Sequence, residues 1–266
     1  MINKLDRDAL REQFRTAQPF PFISIDGFLD AEFAKELAGA YPSLEKARAQ
    51  GFEFKAVNEQ KKIQITDSAK FPDPVRRLND QISSPQFLAD LEYITGIPRL
   101  LADEKLEGGG MHLTGPGGRL DVHVDFNWLE DRKLYRRLNI LLYLNPVWRE
   151  EWGGHIELWD KTVKTCHYRS VPLLNRCVIF ETSDVSYHGV APIVPSAEFV
   201  RQSFAAYYYT VEPPAGYTAP HSTVFRARPD EKLRGLLHMP IEKTWRQLSQ
   251  KVDRVKSWAK TWIRPG

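Results

Sequence analysis

Hydrophobic and polar positions change rhythm twice along this chain. Residues 5–16 set charges on both sides of Leu10 and Phe14, predicting a short amphipathic helix. Phe20-Pro-Phe-Ile-Ser-Ile25 reads as a strand closed by Asp26-Gly27. A helix is expected from Asp30, a suitable N-cap, to about Tyr41, where Pro42 ends it. Residues 73–95 carry Val75, Leu78, Ile82, Phe87 and Leu91 at helical spacing, with a break at Ser84-Pro85. From about residue 107 the period shortens. The clusters Gly108–Gly110 and Gly115–Gly118 mark tight connections, and strands are expected at 120–126, 137–145, 154–159, 176–181 and 201–211. The stretches Glu53–Lys70 and Phe126–Tyr135 read as loops. Short strands joined by Gly, Pro and Asn turns without intervening helices point to an antiparallel barrel or jelly roll, not a doubly wound sheet.

The expected architecture is therefore α+β. Residues 1–104 form a helix-and-strand support layer, 105–212 a β-rich core of the same domain, and 213–266 a C-terminal extension. In that extension Ile241, Trp245, Leu248, Val252, Val255, Ala259 and Trp262 form a helical seam flanked by Lys and Arg. The formal net charge is +3, yet residues 226–266 hold eleven Lys and Arg against four Asp and Glu, so the basic character belongs to the tail. Such a helix suits packing on its own domain, self-association, or a peripheral anionic membrane surface. No basic-aromatic module is present, and no nucleic-acid partner is expected. Two cysteines without C-x-x-C spacing, Cys166 and Cys177, read as buried free thiols. With a charged N-terminus that has no apolar h-region, they make the cytoplasm the expected compartment.

The chemistry concentrates in Asp121-Val-His123-Val-Asp125-Phe126. Strand alternation puts His123 and Asp125 on one face, two residues apart, within reach of one ion. A third ligand must come from elsewhere, and His188, following the apolar strand Cys177–Phe180, is the candidate. Two imidazoles and one carboxylate on a β scaffold describe the facial triad of non-haem Fe(II) oxygenases.

In order behind the H-x-D come Arg136-Arg-Leu-Asn139-Ile-Leu-Leu-Tyr143-Leu-Asn145, the Gly153-Gly154-His-Ile-Glu-Leu158 hairpin, His188, and Arg201-Gln-Ser203. With these motifs the sequence resembles the Fe(II)- and 2-oxoglutarate-dependent dioxygenases, in their prolyl-4-hydroxylase-like branch. The resemblance implies a double-stranded β-helix (a cupin-like jelly roll) with iron held by His123, Asp125 and His188. It also implies that 2-oxoglutarate chelates the iron by its keto-acid end. The far carboxylate would meet Arg201, helped by Tyr143 and Ser203, with Asn139 and Tyr207 at the pocket and Asn127 and Trp128 toward the substrate entrance. A planar, permanently charged guanidinium suits a buried carboxylate better than an ammonium does.

The implied reaction is hydroxylation of an unactivated C–H bond by O2, coupled to decarboxylation of 2-oxoglutarate to succinate and CO2, with ascorbate as reductant. The implied substrate is a prolyl or other amino-acid side chain, peptidyl, carrier-bound or a free small molecule. The carboxylate Asp125 favours hydroxylation, since halogenating relatives lack it. Two departures stand out: Arg201 comes thirteen positions after His188, and Met111-His112-Leu113-Thr114 replace the polar or tyrosyl strand that usually precedes the H-x-D. His112, His155 and His167 read as surface or supporting imidazoles. The competing readings are a jelly-roll binding module without turnover and a zinc hydrolase using the same ligands, and neither gives Arg201 a role.

Overall fold

The computed structural model describes residues 1–196 and 199–231; the amphipathic seam Ile241–Trp262 lies outside them. In chain order the elements are α1 (Arg7–Thr16), β1 (Phe22–Asp26), α2 (Ala31–Ala40), α3 (Leu44–Gln50), β2 (Phe52–Lys55), β3 (Glu59–Ile65), α4 (Asp73–Ile82), α5 (Pro85–Thr95) and β4 (Leu101–Ala102). Then follow β5 (Gly110–Val124), β6 (Trp128–Leu129), β7 (Leu134–Tyr143), β8 (Ile156–Trp159), β9 (Cys166–Ser170), β10 (Arg176–Glu181), β11 (His188–Val190), β12 (Arg201–Thr210) and β13 (Val224–Arg226). The strands form one curled antiparallel sheet in the order β1-β10-β7-β12-β5-β11-β8-β9, a jelly-roll arrangement. Among the described residues no helix is long and apolar enough to cross a membrane.

Local chemistry accounts for the helices. Asp6, Asp30, Ser43 and Ser84 cap α1, α2, α3 and α5 through side-chain oxygens that accept otherwise orphaned backbone N–H groups. Ser84-Pro85 divides 73–95 into α4 and α5, and α5 ends at Gly96, whose φ of +72° is the left-handed C-terminal conformation glycine adopts without strain.

Alternation then sorts each central strand into two faces. Leu138, Ile140 and Leu142 of β7, Cys177 and Ile179 of β10, and Phe204, Ala206 and Tyr208 of β12 join the apolar layer under the helices, with Leu37, Leu78 and Leu91. The residues between them, such as Tyr143, Val178 and Phe180, face the barrel interior. The helices thus bury one face of the sheet and leave the other to the cavity.

Two regions differ from the sequence reading. Gly115–Gly118 is no turn but a bend inside the fifteen-residue strand β5: Gly117 has φ +77°, and a Cβ on Gly118 would fall 2.4 Å from Thr114 Cγ2. The stretch 53–70 is not a loop, because β2 and β3 form a hairpin and β3 pairs with β5. Frequent charges mask the alternation there, while Ile63 and Ile65 are buried. A short helix, α3, precedes it.

Beyond the β1–β10 ladder, one side chain also fastens the N-terminal segment to the sheet. Asn175, in the left-handed region at φ +64°, accepts from Leu29 N at 2.7 Å and donates to Leu29 O at 2.6 Å. Asn175→Ala removes both bonds and leaves an alanine at positive φ, so a loss of about 2–4 kcal/mol in unfolding free energy is expected from denaturant titration.

Candidate active site

His123, near the end of β5, stands directly opposite His188, the first residue of β11. Their rings lie 4.3 Å apart between centroids, backed by Phe180 at 4.6 Å from His188 and Phe225 at 5.3 Å from His123. Each ring is turned by the same local device. His123 Nδ1 lies 2.9 Å from the Asp121 carbonyl, and His188 Nδ1 lies 2.9 Å from the Ser186 carbonyl, two residues upstream in both cases. A carbonyl oxygen only accepts, so each neutral ring holds its hydrogen on Nδ1 and points the Nε2 lone pair inward. Asp125 completes the group: its Oδ1 is 3.4 Å from His123 Nε2 and its Oδ2 is 3.6 Å from His188 Nε2. One ligand atom from each of the three residues lies within 4.8 Å of the others, the setting for one metal ion.

The charges fit a divalent cation. Burial disfavours the protonated imidazole of His188, and with the neighbouring His123 ring it pushes the pKa down to about 4, so His188 is neutral at neutral pH. Burial alone would raise Asp125, but the Arg136 guanidinium and the two imidazoles hold it well below the usual carboxylate range. Two imidazole nitrogens and one carboxylate oxygen are a donor set that suits Fe(II).

Arg136 is the member of this group that the sequence reading missed. Simple alternation puts it opposite Asn139 and Tyr143, with the core residues of β7. The β7–β12 ladder shifts register between Tyr208 and Tyr209 at this end of the strand. Arg136, almost wholly buried, meets Asp125 Oδ2 at 3.1 Å through Nη1, and its Cζ sits 3.7 Å from the ring centres of both Phe126 and Tyr207. The charge pair and the two π faces compensate its desolvation.

On the inner side lies a cavity lined by Arg201, Ser203, Asn139, His112, Thr114 and His188, with Lys62 and Tyr207 also on its wall. Arg201 is 4% exposed; its Nε donates to Gly154 O at 2.8 Å, Nη1 donates to Ser203 Oγ at 3.3 Å, and Cζ stands 5.0 Å from the Tyr143 ring centre. Burial pulls its pKa below the arginine norm. Among the described residues no carboxylate comes within ion-pairing distance of this guanidinium. Tyr143 Oη, Asn139 Oδ1 and His112 Nε2 are buried without a hydrogen-bond partner among the described residues. A buried cation and orphaned polar groups around one cavity mark a place for a polar, anionic ligand.

Other expectations fare differently. Asn127 and Trp128, expected toward the substrate entrance, are not among the residues lining this cavity. Asn127 donates to Ala219 O and accepts from His221 N, bracing the segment after β12, and Trp128 packs on Tyr135 and donates to Glu130. Both leave the strand path just beyond Val124, where alternation no longer predicts direction. His112, read as a supporting imidazole, is buried on the cavity wall because β5 pairs it with Ser203 of β12. Lys62 was hidden by the loop reading of its segment.

The profile of the 2OG-Fe(II) oxygenase superfamily matches residues 109–209. That match brackets His123, Asp125, His188 and Arg201. Residues 109–209 thus resemble a 2OG-Fe(II) oxygenase domain. The chain is similar to prolyl 3-hydroxylase OGFOD1 of Mus musculus, with 33% identity over 92 residues, covering 32% of this chain and 17% of that protein. The chain thus spans only about a sixth of that relative. In fold the oxygenase domain and its helices resemble a Pseudomonas putida prolyl-4-hydroxylase: TM-score 0.54 and 15% identity over 75% of this chain and 97% of that one. They also resemble a Trichoplax adhaerens prolyl hydroxylase solved with a hypoxia inducible factor peptide fragment: TM-score 0.53 and 15% identity over 76% and 88%.

The Asp125–Arg136 pair gives this site an asymmetric stability signature. Asp125→Ala strands a buried guanidinium and is expected to destabilise the metal-free protein by about 3–5 kcal/mol. Asp125→Asn keeps the shape and a hydrogen-bond acceptor and is expected to cost less. Urea unfolding of both variants without metal checks the order.

Proposed function

We propose that this chain is an Fe(II)- and 2-oxoglutarate-dependent dioxygenase that hydroxylates an unactivated C–H bond of an amino-acid side chain, with a peptidyl prolyl residue as the leading substrate. One observation carries the reading: the buried Arg201 has no acidic partner among the described residues, in the same cavity that His188 of the His-Asp-His group lines. A binding module needs no metal group beside an unpaired guanidinium, and a zinc hydrolase leaves Arg201 idle. The names of the relatives support a prolyl substrate.

His123, Asp125 and His188 would hold the iron, with Phe180 and Phe225 packed on the imidazoles to limit water. Arg201, through a two-pronged bond assisted by Ser203 and the Tyr143 hydroxyl, would hold the far carboxylate of 2-oxoglutarate and fix its keto-acid end toward the metal. Arg136 keeps Asp125 ionised and fixed. Bound iron supplies O2 activation, driven by decarboxylation of 2-oxoglutarate to succinate and CO2, and ascorbate would keep it reduced.

An open groove beside the site gives a substrate path. It runs between the β2–β3 hairpin, with Phe52 and Phe54, and Phe225 of β13, whose ring lies on His123. Phe52 is 66% exposed at its rim. An extended peptide with an apolar residue next to the target suits this groove. A free thiol pair, Cys166 and Cys177, agrees with a reducing cytoplasm.

The test is release of labelled succinate from 2-oxoglutarate with Fe(II) and ascorbate, together with +16 Da products in a proline-containing peptide library. Wild-type protein is expected to give both. Arg201→Lys is expected to raise the KM for 2-oxoglutarate on the order of 10–100-fold, since an ammonium cannot form the paired contact. Absence of 2-oxoglutarate turnover with every substrate class would overturn the proposal.

A further inference from the structure

The ladder that carries the two histidines is irregular. His188 pairs with His123 and Val190 with Leu120, so three residue steps on β5 oppose two on β11. Such a bulge leaves ladder groups without backbone partners. Here one guanidinium from beyond the barrel supplies them. Arg228, two residues past β13 and 5% exposed, donates from Nη2 to Leu120 O at 3.2 Å and to Val190 O at 3.0 Å. Its Nε donates to Glu157 Oε2 of β8 at 2.8 Å, and its Nη1 lies 3.6 Å from Asp121 Oδ1. Arg119 closes the cluster, reaching Asp121 and Glu231.

A single buried side chain therefore ties together β5, β8 and β11 at the point where β5 and β11 fall out of register. The space is full: a Cβ on Gly189 would stand 3.1 Å from Leu120 O and 3.2 Å from Arg228 Nη2. The peptide carbonyl that fixes the His123 ring belongs to Asp121, the residue after Leu120. Val190 is two residues after His188. Arg228 thus grips both strands within two or three residues of the imidazoles, while Phe225 from the same segment lies on His123.

We propose that Arg228 is a positioning residue for the metal site, holding the β5–β11 bulge and so the spacing and orientation of His123 and His188. The inference rests on reading the His-Asp-His group as a metal site. It extends the functional unit past residues 109–209 to include 224–231.

The test is titration of the full-length, metal-free protein with Co(II), reading the dissociation constant and the ligand-field absorption bands. Wild-type protein is expected to bind one ion per chain. Arg228→Gln is expected to raise the dissociation constant on the order of 10–100-fold and to alter the band shape, as loss of groups that orient metal ligands does. Arg228→Lys, which cannot bridge two carbonyls and Glu157 together, should fall between. Should Arg228→Gln fail to fold, Glu157→Gln carries the test, with weakening of about tenfold expected. Unchanged affinity and spectrum in the variants that fold, even with a lowered melting temperature, would make Arg228 merely structural and overturn the proposal. A wild-type protein that binds no Co(II) would instead overturn the metal-site reading itself.

Discussion

Two imidazoles face each other across neighbouring antiparallel strands, each turned by a carbonyl two residues upstream, and the barrel is organised around keeping them there. The Nδ1 contacts to Asp121 and Ser186 set which nitrogen is free, and the cross-strand pairing sets how far apart the free nitrogens stand. Asp125 then needs only to arrive at the end of β5, fixed by Arg136. Because the central parts of β7, β10 and β12 alternate, helices can cover one face with a continuous apolar layer without disturbing the polar set on the other.

Two buried guanidiniums have opposite fates in this interior. Arg136 has its counter-charge inside the protein, in Asp125, and two aromatic faces around it. Among the described residues Arg201 has a carbonyl and a hydroxyl but no anion. A buried charge left without a partner is costly, so its persistence in a closed strand pattern argues for a ligand that brings the missing charge. On the proposed reading, the difference divides the cavity into a side for a cation and a side for a carboxylate.

Much of this was legible in the sequence, and the failures are instructive. His123 and Asp125 follow from period-two alternation on one strand, and Arg201, Ser203 and Tyr207 fall on one face of β12 for the same reason. The break between α4 and α5 was written in Ser84-Pro85. The β2–β3 hairpin was not legible, because Glu59, Lys61 and Lys62 interrupt any apolar alternation and only pairing with β5 buries Ile63 and Ile65. Arg136 escaped because a register shift, which no single strand encodes, turns it toward Asp125. His112 and Arg228 escaped because their partners lie 91 and 71 residues away, at Ser203 and Glu157.

The central claim is that one metal ion and one keto-diacid share this cavity, the first on His123, Asp125 and His188, the second on Arg201. Its most direct measurement is anaerobic optical titration of the Fe(II)-loaded protein with 2-oxoglutarate. The account predicts a new metal-to-ligand charge-transfer band that saturates at one equivalent per chain, and that requires much higher 2-oxoglutarate when Arg201 is replaced. A protein that holds Fe(II) yet shows no such band at saturating 2-oxoglutarate would contradict it.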